Sequence, residues 1–247
     1  MSDLFDQVYT RICHVKQGYE DREEHIRREF AARGVPVHFY LDHDIPDIDP
    51  ARLDAAPMRP GEYSIALKHI GVWRDFLRSG KPYCLVFEDD VFLASDFVQK
   101  LAACVGELGD PDRSAAVYLG NGCNYYIAAS DLVPGRHLYP ATTSRCADSY
   151  LITRPVAEAR LEWLSRNDMT RGIDHQINII DAEAGVEVLW FDRPIVEQGS
   201  QNGAFKSSLN GKARPLWMQR VEWAWKRMLR QARGKVDPRM SKPTRSA

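Results

Sequence analysis

The sequence predicts an α/β protein with an open, mostly parallel β-sheet that is covered by helices on both faces. Short apolar runs alternate along the chain with amphipathic stretches of helical period, which is the order expected of βαβ units. The most apolar run, residues 83–87 (YCLVF), is continuous, as is typical of a central strand buried on both sides. The 247 residues, of which 44% are hydrophobic, are enough for one large domain.

Each element is predicted from its local pattern. The predicted strands are residues 8–15, 35–41, 83–87, 115–119, 145–153 and 186–191, and the predicted helices are residues 20–33, 64–79, 95–107, 156–166 and 173–184. In the second helix Ile65, His69, Val72, Trp73 and Phe76 share one face, Ser64 is the candidate N-cap and Gly80 the stop. Residues 42–60, rich in proline and turn formers, are predicted to be a loop.

Charge is distributed unevenly, although 33 basic and 34 acidic residues nearly cancel. Residues 203–247 contain twelve basic and two acidic residues, a net charge of +10, which leaves −11 on residues 1–202. Residues 215–233 fit an amphipathic helix with Trp217, Trp225 and Met228 opposite arginines, a pattern typical of an anionic membrane surface. The alternative is an apolar stripe packed on the domain. We expect no nucleic-acid partner.

Five scattered cysteines without a C-x-x-C pair predict neither a disulfide framework nor a zinc site. Cys84 and Cys104 lie in apolar runs and are predicted core residues. The first residues contain Asp3 and Asp6 and lack the apolar core of a signal peptide. The expected location is therefore the cytoplasm, with the basic segment on the inner face of the plasma membrane.

The candidate chemical centre is Glu88-Asp89-Asp90, directly after the most apolar strand. Ligands of open α/β sheets collect beyond the carboxyl ends of the strands. Adjacent carboxylates repel one another, and their oxygens suit Mg²⁺ or Mn²⁺ bridged to substrate phosphates. The alternative is a solvated acidic turn at a helix N-terminus.

Several short motifs follow one another along the chain. They are residues 61–73 (GEYSIALKHIGVW), residues 85–91 (LVFEDDV), Ala147 with residues 150–152 (YLI), residues 172–174 (GID), and residues 193–198 (RPIVEQ) with Ser207 and Ser208. This ordered set resembles glycosyltransferase family 25, the lipopolysaccharide and collagen galactosyltransferase relatives. The resemblance spans about residues 8 to 209. Lys68 replaces the usual Ser before His69, and the first strand reads Ile12-Cys13-His14 instead of Ile-Asn-Leu.

The resemblance implies an A-type glycosyltransferase fold, which is Rossmann-like, and an inverting transfer from a UDP-sugar, with galactose the expected hexose. It implies that Glu88 and Asp90 bind Mn²⁺ or Mg²⁺ and that Glu88 or Asp89 contacts the donor. Asp174 is the candidate base, with an ordinary helix cap as the alternative. Asp148, a charge on a predicted strand, is the second candidate.

Four further residues are candidate donor contacts, each with a plainer alternative. His69 on an apolar helix face is equally typical of a hydrogen-bonded core histidine, and Arg22 of a surface helix residue. Lys206 and Ser207 follow the last strand. A loop at this position is expected to close over a diphosphate, and the alternative is a plain link to the basic segment.

The sequence thus predicts a glycosyltransferase domain over residues 1–209 and a basic amphipathic helix with its tail over residues 210–247. Its expected partners are a UDP-sugar, a glycan or lipid-linked glycan acceptor such as lipopolysaccharide, and an anionic membrane. One alternative is a non-catalytic binding or assembly module of the same fold, which Lys68 and the altered first strand suggest. A phosphohydrolase that uses the acidic triplet is the other.

Overall fold

The computed structural model describes residues 2–122, 125–202 and 204–205, with five isolated positions between 221 and 229. The predicted donor contacts Lys206 and Ser207, together with Ser208, lie outside the described residues. The predicted basic helix also lies outside them, apart from those five positions. The strands are β1 (Val8–Cys13), β2 (Phe39–Tyr40), β3 (Tyr83–Glu88), β4 (Val91–Leu93), β5 (Ala115–Tyr118), β6 (Leu138–Pro140), β7 (Ser149–Thr153), β8 (Glu187–Phe191) and β9 (Val196–Gln198). The helices are α1 (Ser2–Gln7), α2 (Glu20–Ala31), α3 (Pro50–Ala55), α4 (Pro60–Ser79), α5 (Phe97–Leu108), α6 (Arg154–Arg166), α7 (Ile173–Glu183) and α8 (Gly199–Asn202).

The described residues form a seven-stranded sheet in the order β2-β1-β3-β7-β5-β8-β6 and a two-stranded sheet of β4 and β9. Strands β2, β1, β3, β5 and β8 run in one direction, whereas β7 and β6 run in the other. The mostly parallel sheet is therefore confirmed. The interior strand β7 lies antiparallel between β3 and β5 and places its amino end beside their carboxyl ends.

Helices cover both faces of the large sheet, as the apolar pattern predicts. The alternating residues of β3 divide between two cores, with Leu85 and Phe87 on one side and Cys84 and Val86 on the other. Apolar residues of α2 and α5 complete the first core, and those of α4, α6 and α7 complete the second. Because both faces are buried, the strand has no polar side and reads as one continuous apolar run.

Two local predictions are wrong. The segment predicted to be a loop contains a 3-10 turn, Ile45–Asp47, and the helix α3, which Asp49 caps by accepting the Ala51 N–H at 2.9 Å. Helix α4 begins at Pro60, four residues early, because Glu62 reaches back to the Arg59 N–H. Ser64 is not its cap, since its hydroxyl donates to the His43 carbonyl at 2.6 Å.

Cys84 and Cys104 are fully buried core residues, as predicted. None of the helices in the described part of the chain combines the length and hydrophobicity needed to span a bilayer.

Candidate active site

Acidic residues from three elements meet at the carboxyl end of β3. Glu88 ends that strand, and Asp89 and Asp90 form the turn into β4. Since Phe87 pairs with Ser149 at the start of β7, the Glu88 N–H donates to the Asp148 carbonyl at 2.9 Å. The antiparallel direction of β7 thus places Asp148 beside the predicted triplet.

We define the carboxylate cluster as Glu88, Asp90, Asp148 and Asp174. Burial raises the pKa of Glu88 well above its usual value, and the charges of Asp90, Asp174 and Asp148 raise it further. Asp174 reaches the cluster from the first turn of α7. The two candidate bases and the two candidate metal ligands are therefore neighbours.

Asp148 is the deepest member of the cluster. Its side chain is fully buried, and Oδ1 has no hydrogen-bond partner among the described residues, while Oδ2 accepts from the Ser149 hydroxyl at 3.4 Å. Burial, then the charges of Asp174 and Asp90, raise the pKa of Asp148 well above its usual value. Gly120 makes the position possible, since a Cβ there would lie 2.1 Å from Asp148 Oδ2.

Asp90 is held by the segment that follows β9. The Ser200 N–H donates to Asp90 Oδ2 at 3.0 Å, and the Gly199 N–H donates to the Asp90 carbonyl at 2.7 Å. Oδ1 is buried and has no hydrogen-bond partner in the described part of the chain. Burial raises the pKa of Asp90, although the nearby charge of Arg22 partly opposes this.

Asp89 has a different role because its two oxygens are taken by two basic side chains. His14 Nδ1 donates to Oδ2 at 2.8 Å, and Arg22 Nη1 donates to Oδ1 at 2.7 Å. Arg22 is 8% exposed, so it is a buried residue and not the surface helix residue that its charged surroundings suggest. The variant residue His14 thus belongs to the site and anchors the turn of the acidic triplet.

Asp174 does not cap its own helix. Its Oδ1 accepts the Ala147 N–H at 2.5 Å and its Oδ2 the Cys146 thiol at 3.3 Å, whereas Gly172 occupies the N-cap position. Asp174 is half-buried, whereas Asp148 is fully buried. Asp174 therefore holds the segment before β7 against α7, at the edge of the carboxylate cluster.

His69 lies behind Glu88 and does not line the cavity described below. Its ring is fully buried, and Nδ1 shares a hydrogen bond of 2.8 Å with the Tyr150 hydroxyl. Burial lowers the pKa of His69 to about 3, and the charge of Arg160 acts in the same direction, so the ring is neutral. In the structure His69 is therefore a hydrogen-bonded core residue.

A cavity of about 620 Å³ opens beside the cluster. Its walls come from the loop after β1, the start of α2, the segment around Asp44, the first turns of α4 and the end of β3. Such a volume is typical of a small-molecule site. Its charged lining residues are Lys16, Arg22, Arg59, Lys68, Asp44, Asp47, Glu88 and Asp89.

Lys68, the residue that departs from the family pattern, is 1% exposed and serves the cavity wall. Its ammonium donates to Asp44 Oδ1 at 2.6 Å and to the Asp42 carbonyl at 2.8 Å. Asp44 also accepts the Lys16 N–H at 3.0 Å. The ammonium of Lys68 therefore binds residues 42 and 44, and the hydrogen bonds described here do not join it to the acidic triplet.

Local sequence patterns give no role to two polar residues, Gln198 in the site and Arg145 near it. Gln198, within a motif quoted only for its resemblance, donates from Nε2 to Glu88 Oε2 at 3.1 Å. Arg145 is fully buried, lies 4.7 Å above the ring of Trp190 and donates to the Phe191 carbonyl at 2.6 Å. Burial lowers the pKa of Arg145 to about 9. The position of Arg145 at the start of a predicted strand is the sequence feature that indicates a special role for it.

The donor set fits a divalent cation at Asp90 and Glu88. In the described part of the chain no group of three or more His, Cys, Asp or Glu side chains is arranged to hold a metal ion by itself. Mg²⁺ is usually held by one or two carboxylates together with substrate phosphates, so a smaller protein set suffices. The unpartnered Asp90 Oδ1 is an oxygen that a cation would satisfy. Cation binding there stays a prediction.

Comparisons with known proteins match the part of the chain that builds the cavity. Residues 17–131 match the family model described as glycosyltransferase family 25 (LPS biosynthesis protein). The resemblance to family 25 is confirmed over these residues. The match includes His69 and the acidic triplet, whereas Asp148 and Asp174 lie beyond it.

Two curated relatives come from Neisseria gonorrhoeae. The lacto-N-neotetraose biosynthesis glycosyltransferase LgtB is 34% identical over 110 residues, which is 40% of this chain and 39% of the relative. The lacto-N-neotetraose biosynthesis glycosyltransferase LgtE is 34% identical over 91 residues, 33% of this chain and 32% of that protein. The chain thus spans about two fifths of the length of LgtB. A solved glycosyltransferase involved in glycosylation of the major capsid of PBCV-1 is 7% identical, with a TM-score of 0.46 over 88% of this chain and 98% of that one.

Proposed function

We propose that this protein is an inverting glycosyltransferase that moves a hexose, with galactose the first candidate, from a UDP-sugar to a glycan such as lipopolysaccharide. The observation that carries the proposal is the cavity of about 620 Å³ that ends at Glu88 and Asp89, beside four carboxylates. The match to family 25 and to two lacto-N-neotetraose glycosyltransferases supports the reaction class.

The cavity is the proposed donor site. Arg22, Lys16 and Arg59 line it, and cationic side chains are suited to a diphosphate. Arg22 is fixed by Asp89, so its guanidinium is oriented before the donor binds. Lys206 and Ser207 remain proposed donor contacts from the sequence.

Asp90 and Glu88 would hold Mn²⁺ or Mg²⁺, and such a cation neutralises charge on a departing diphosphate. Two donors, the Ser200 N–H and Gln198 Nε2, orient these carboxylates from the protein side. Raised pKa values at both residues mean that the fold pays an electrostatic cost for placing them together.

Asp174 is the proposed base and Asp148 the second candidate. A base must lie within hydrogen-bond reach of the acceptor hydroxyl, and half-buried Asp174 is accessible where fully buried Asp148 is not. In the proposed step Asp174 takes the hydroxyl proton, the acceptor oxygen bonds to the anomeric carbon, and the bond from that carbon to the UDP oxygen breaks. One displacement inverts the anomeric centre.

The test is release of UDP from UDP-galactose with Mn²⁺, with and without a lactose-terminated acceptor. We expect turnover by the wild type, and a loss of at least 100-fold in Asp90→Asn and in Asp174→Asn. Exposed Asp75→Asn, on the far part of α4, is the control and should keep full turnover.

Other outcomes would favour the alternatives. Stabilisation by UDP-sugars without turnover would indicate a non-catalytic binding module, since a ligand that binds only the folded state raises the melting temperature. Release of free phosphate without sugar transfer would indicate a phosphohydrolase. Equal turnover in all three variants would show that Asp90 and Asp174 do not belong to the active site.

We also propose that the basic segment within residues 210–247 holds the protein against an anionic membrane. Residues 203–247 carry a net charge of +10, and each basic residue near such a surface contributes about 1 kcal/mol. A lipid-linked acceptor would then be presented in the plane where the enzyme rests.

A further inference from the structure

Three buried ring side chains, joined by hydrogen bonds, lie next to Glu88. Trp73 Nε1–H donates to the Tyr150 hydroxyl oxygen at 2.9 Å, and the same oxygen lies 2.8 Å from His69 Nδ1. On the far side of the imidazole, Nε2 lies 3.9 Å from Glu88 Oε1. All three rings are fully buried, and they come from α4 and β7.

The number of hydrogens on each ring determines which group donates and which accepts in these hydrogen bonds. The Trp73 indole is a donor only, so the Tyr150 oxygen accepts there and its own hydrogen must go elsewhere. His69 Nδ1 is the acceptor available to it, which places the single hydrogen of the neutral imidazole on Nε2. The opposite tautomer would leave a buried hydroxyl hydrogen without an acceptor, which is costly.

The Nε2–H therefore faces Glu88, and Nε2 has no hydrogen-bond partner in the described part of the chain. Glu88 Oε2 already accepts from Gln198 Nε2 at 3.1 Å. A second donor at Oε1 would fix both oxygens of the carboxylate. The present 3.9 Å is longer than a hydrogen bond, and a shift of roughly 1 Å closes it.

We propose that His69, held in one tautomer by Tyr150, is a positioning residue that orients the Glu88 carboxylate in the wall of the donor cavity. This inference rests on the proposed function, since it assigns Glu88 to the transfer site. It also gives a common role to residues of three separate motifs, because His69 and Trp73, Glu88, and Tyr150 lie far apart in the sequence.

The first experiment compares Tyr150→Phe with Tyr118→Phe. Both tyrosines are fully buried and their rings lie 6.0 Å apart, but the Tyr118 hydroxyl bonds to Arg160 and Asp181 and not to His69. Each variant loses one buried hydroxyl, so their thermal unfolding should change by similar amounts. We expect kcat for UDP-galactose turnover to fall about 10- to 100-fold in Tyr150→Phe alone, with KM changed less than threefold.

The second experiment substitutes His69 directly. Gln keeps an amide N–H at a reach similar to that of Nε2, whereas Leu keeps volume without a donor. We expect His69→Gln to retain at least tenfold more kcat than His69→Leu. Equal kcat in these two variants, or an equal loss in Tyr150→Phe and Tyr118→Phe, would overturn the positioning role.

A third measurement is independent of activity. Proton–nitrogen correlation NMR of the imidazoles should show His69 as a neutral ring with its hydrogen on Nε2, and Tyr150→Phe should remove this preference. An Nδ1–H tautomer in the wild type would overturn the inference even if the enzyme is active. Failure of the proposed function would instead appear as absent turnover by the wild type, with this tautomer unchanged.

Discussion

Asp148 combines complete burial with an oxygen that has no described partner, which is unfavourable for stability. A buried carboxylate needs donors or a cation, and this one has a single long bond, from the Ser149 hydroxyl at 3.4 Å. Its pKa is raised well above the usual value, so near neutral pH the ionised form costs folding free energy. Such costs are typical of functional sites and rare elsewhere.

We therefore expect Asp148→Asn to stabilise the protein at pH 7 while reducing turnover. A neutral amide of the same size removes the cost of the charge, and a gain of about 1 kcal/mol raises the melting temperature by about 2 to 4 °C. The gain should shrink as the pH falls through the raised pKa, because the wild-type carboxyl then takes up a proton in the folded state. Scanning calorimetry from pH 4.5 to 8 measures this. A variant less stable than the wild type at every pH would contradict it.

The buried ion pair of Lys68 and Asp44 should contribute to stability. Lys68→Met leaves Asp44 in the interior without its ammonium partner, and we expect a loss of about 3 kcal/mol in the free energy of unfolding. Combining it with Asp44→Asn removes the unpaired charge, so the double variant should lose less than the sum of the single losses. Urea unfolding of the four proteins measures the coupling. Additive losses would show that the two side chains act separately.

Antiparallel strand β7 is the element that builds the site. A parallel strand in the same position would begin at the opposite edge of the sheet, whereas β7 begins at Ser149, beside the ends of β3 and β5. Asp148 thereby meets Glu88 on one side and Gly120, after β5, on the other. Three elements thereby converge on the acidic turn that the sequence predicts.

Gly120→Ala tests this convergence. The added Cβ would lie 2.1 Å from Asp148 Oδ2, so the carboxylate must move, and we expect at least a tenfold loss of turnover in a folded protein. Gly106→Ala is the matched control, because its Cβ meets nothing within 4 Å and alanine favours the interior of α5. Circular dichroism and UDP release check both variants. Full activity in Gly120→Ala would show that the position of Asp148 does not matter.

The sequence predicts the sheet, most helices and the acidic turn because local periodicity and burial determine them. It also contains the signal that was overlooked for α3, since Asp49-Pro50 is a cap followed by proline at the first helical position. The direction of β7 has no such local signal. It depends on the path of the segment between β5 and β7, where β6 is the one strand described. Similarly, the burial of Arg145 and the hydrogen bond between Tyr150 and His69 follow from tertiary packing and not from spacing.

The whole chain separates its charge, with −11 on residues 1–202 and +10 on residues 203–247. In the acidic part, the carboxylate cluster groups four acidic residues at one edge of the sheet. An anionic membrane would repel that part and attract the basic one, so the protein should associate in one orientation. The expected association depends on the charge distribution of the sequence alone.

The 247-residue chain should sediment with vesicles of phosphatidylglycerol and phosphatidylethanolamine at 0.05 M KCl. It should be released at about 0.5 M, because salt screens charges beyond about 4 to 5 Å there. Neutral phosphatidylcholine vesicles should not bind it. Arg230→Glu with Arg233→Glu changes the tail charge by four and should reduce binding at least tenfold. Arg28→Glu with Arg78→Glu makes the same change on exposed positions of α2 and α4 and should leave binding near the wild-type level. Equal losses in the two pairs would mean that net charge, and not the basic segment, governs the association.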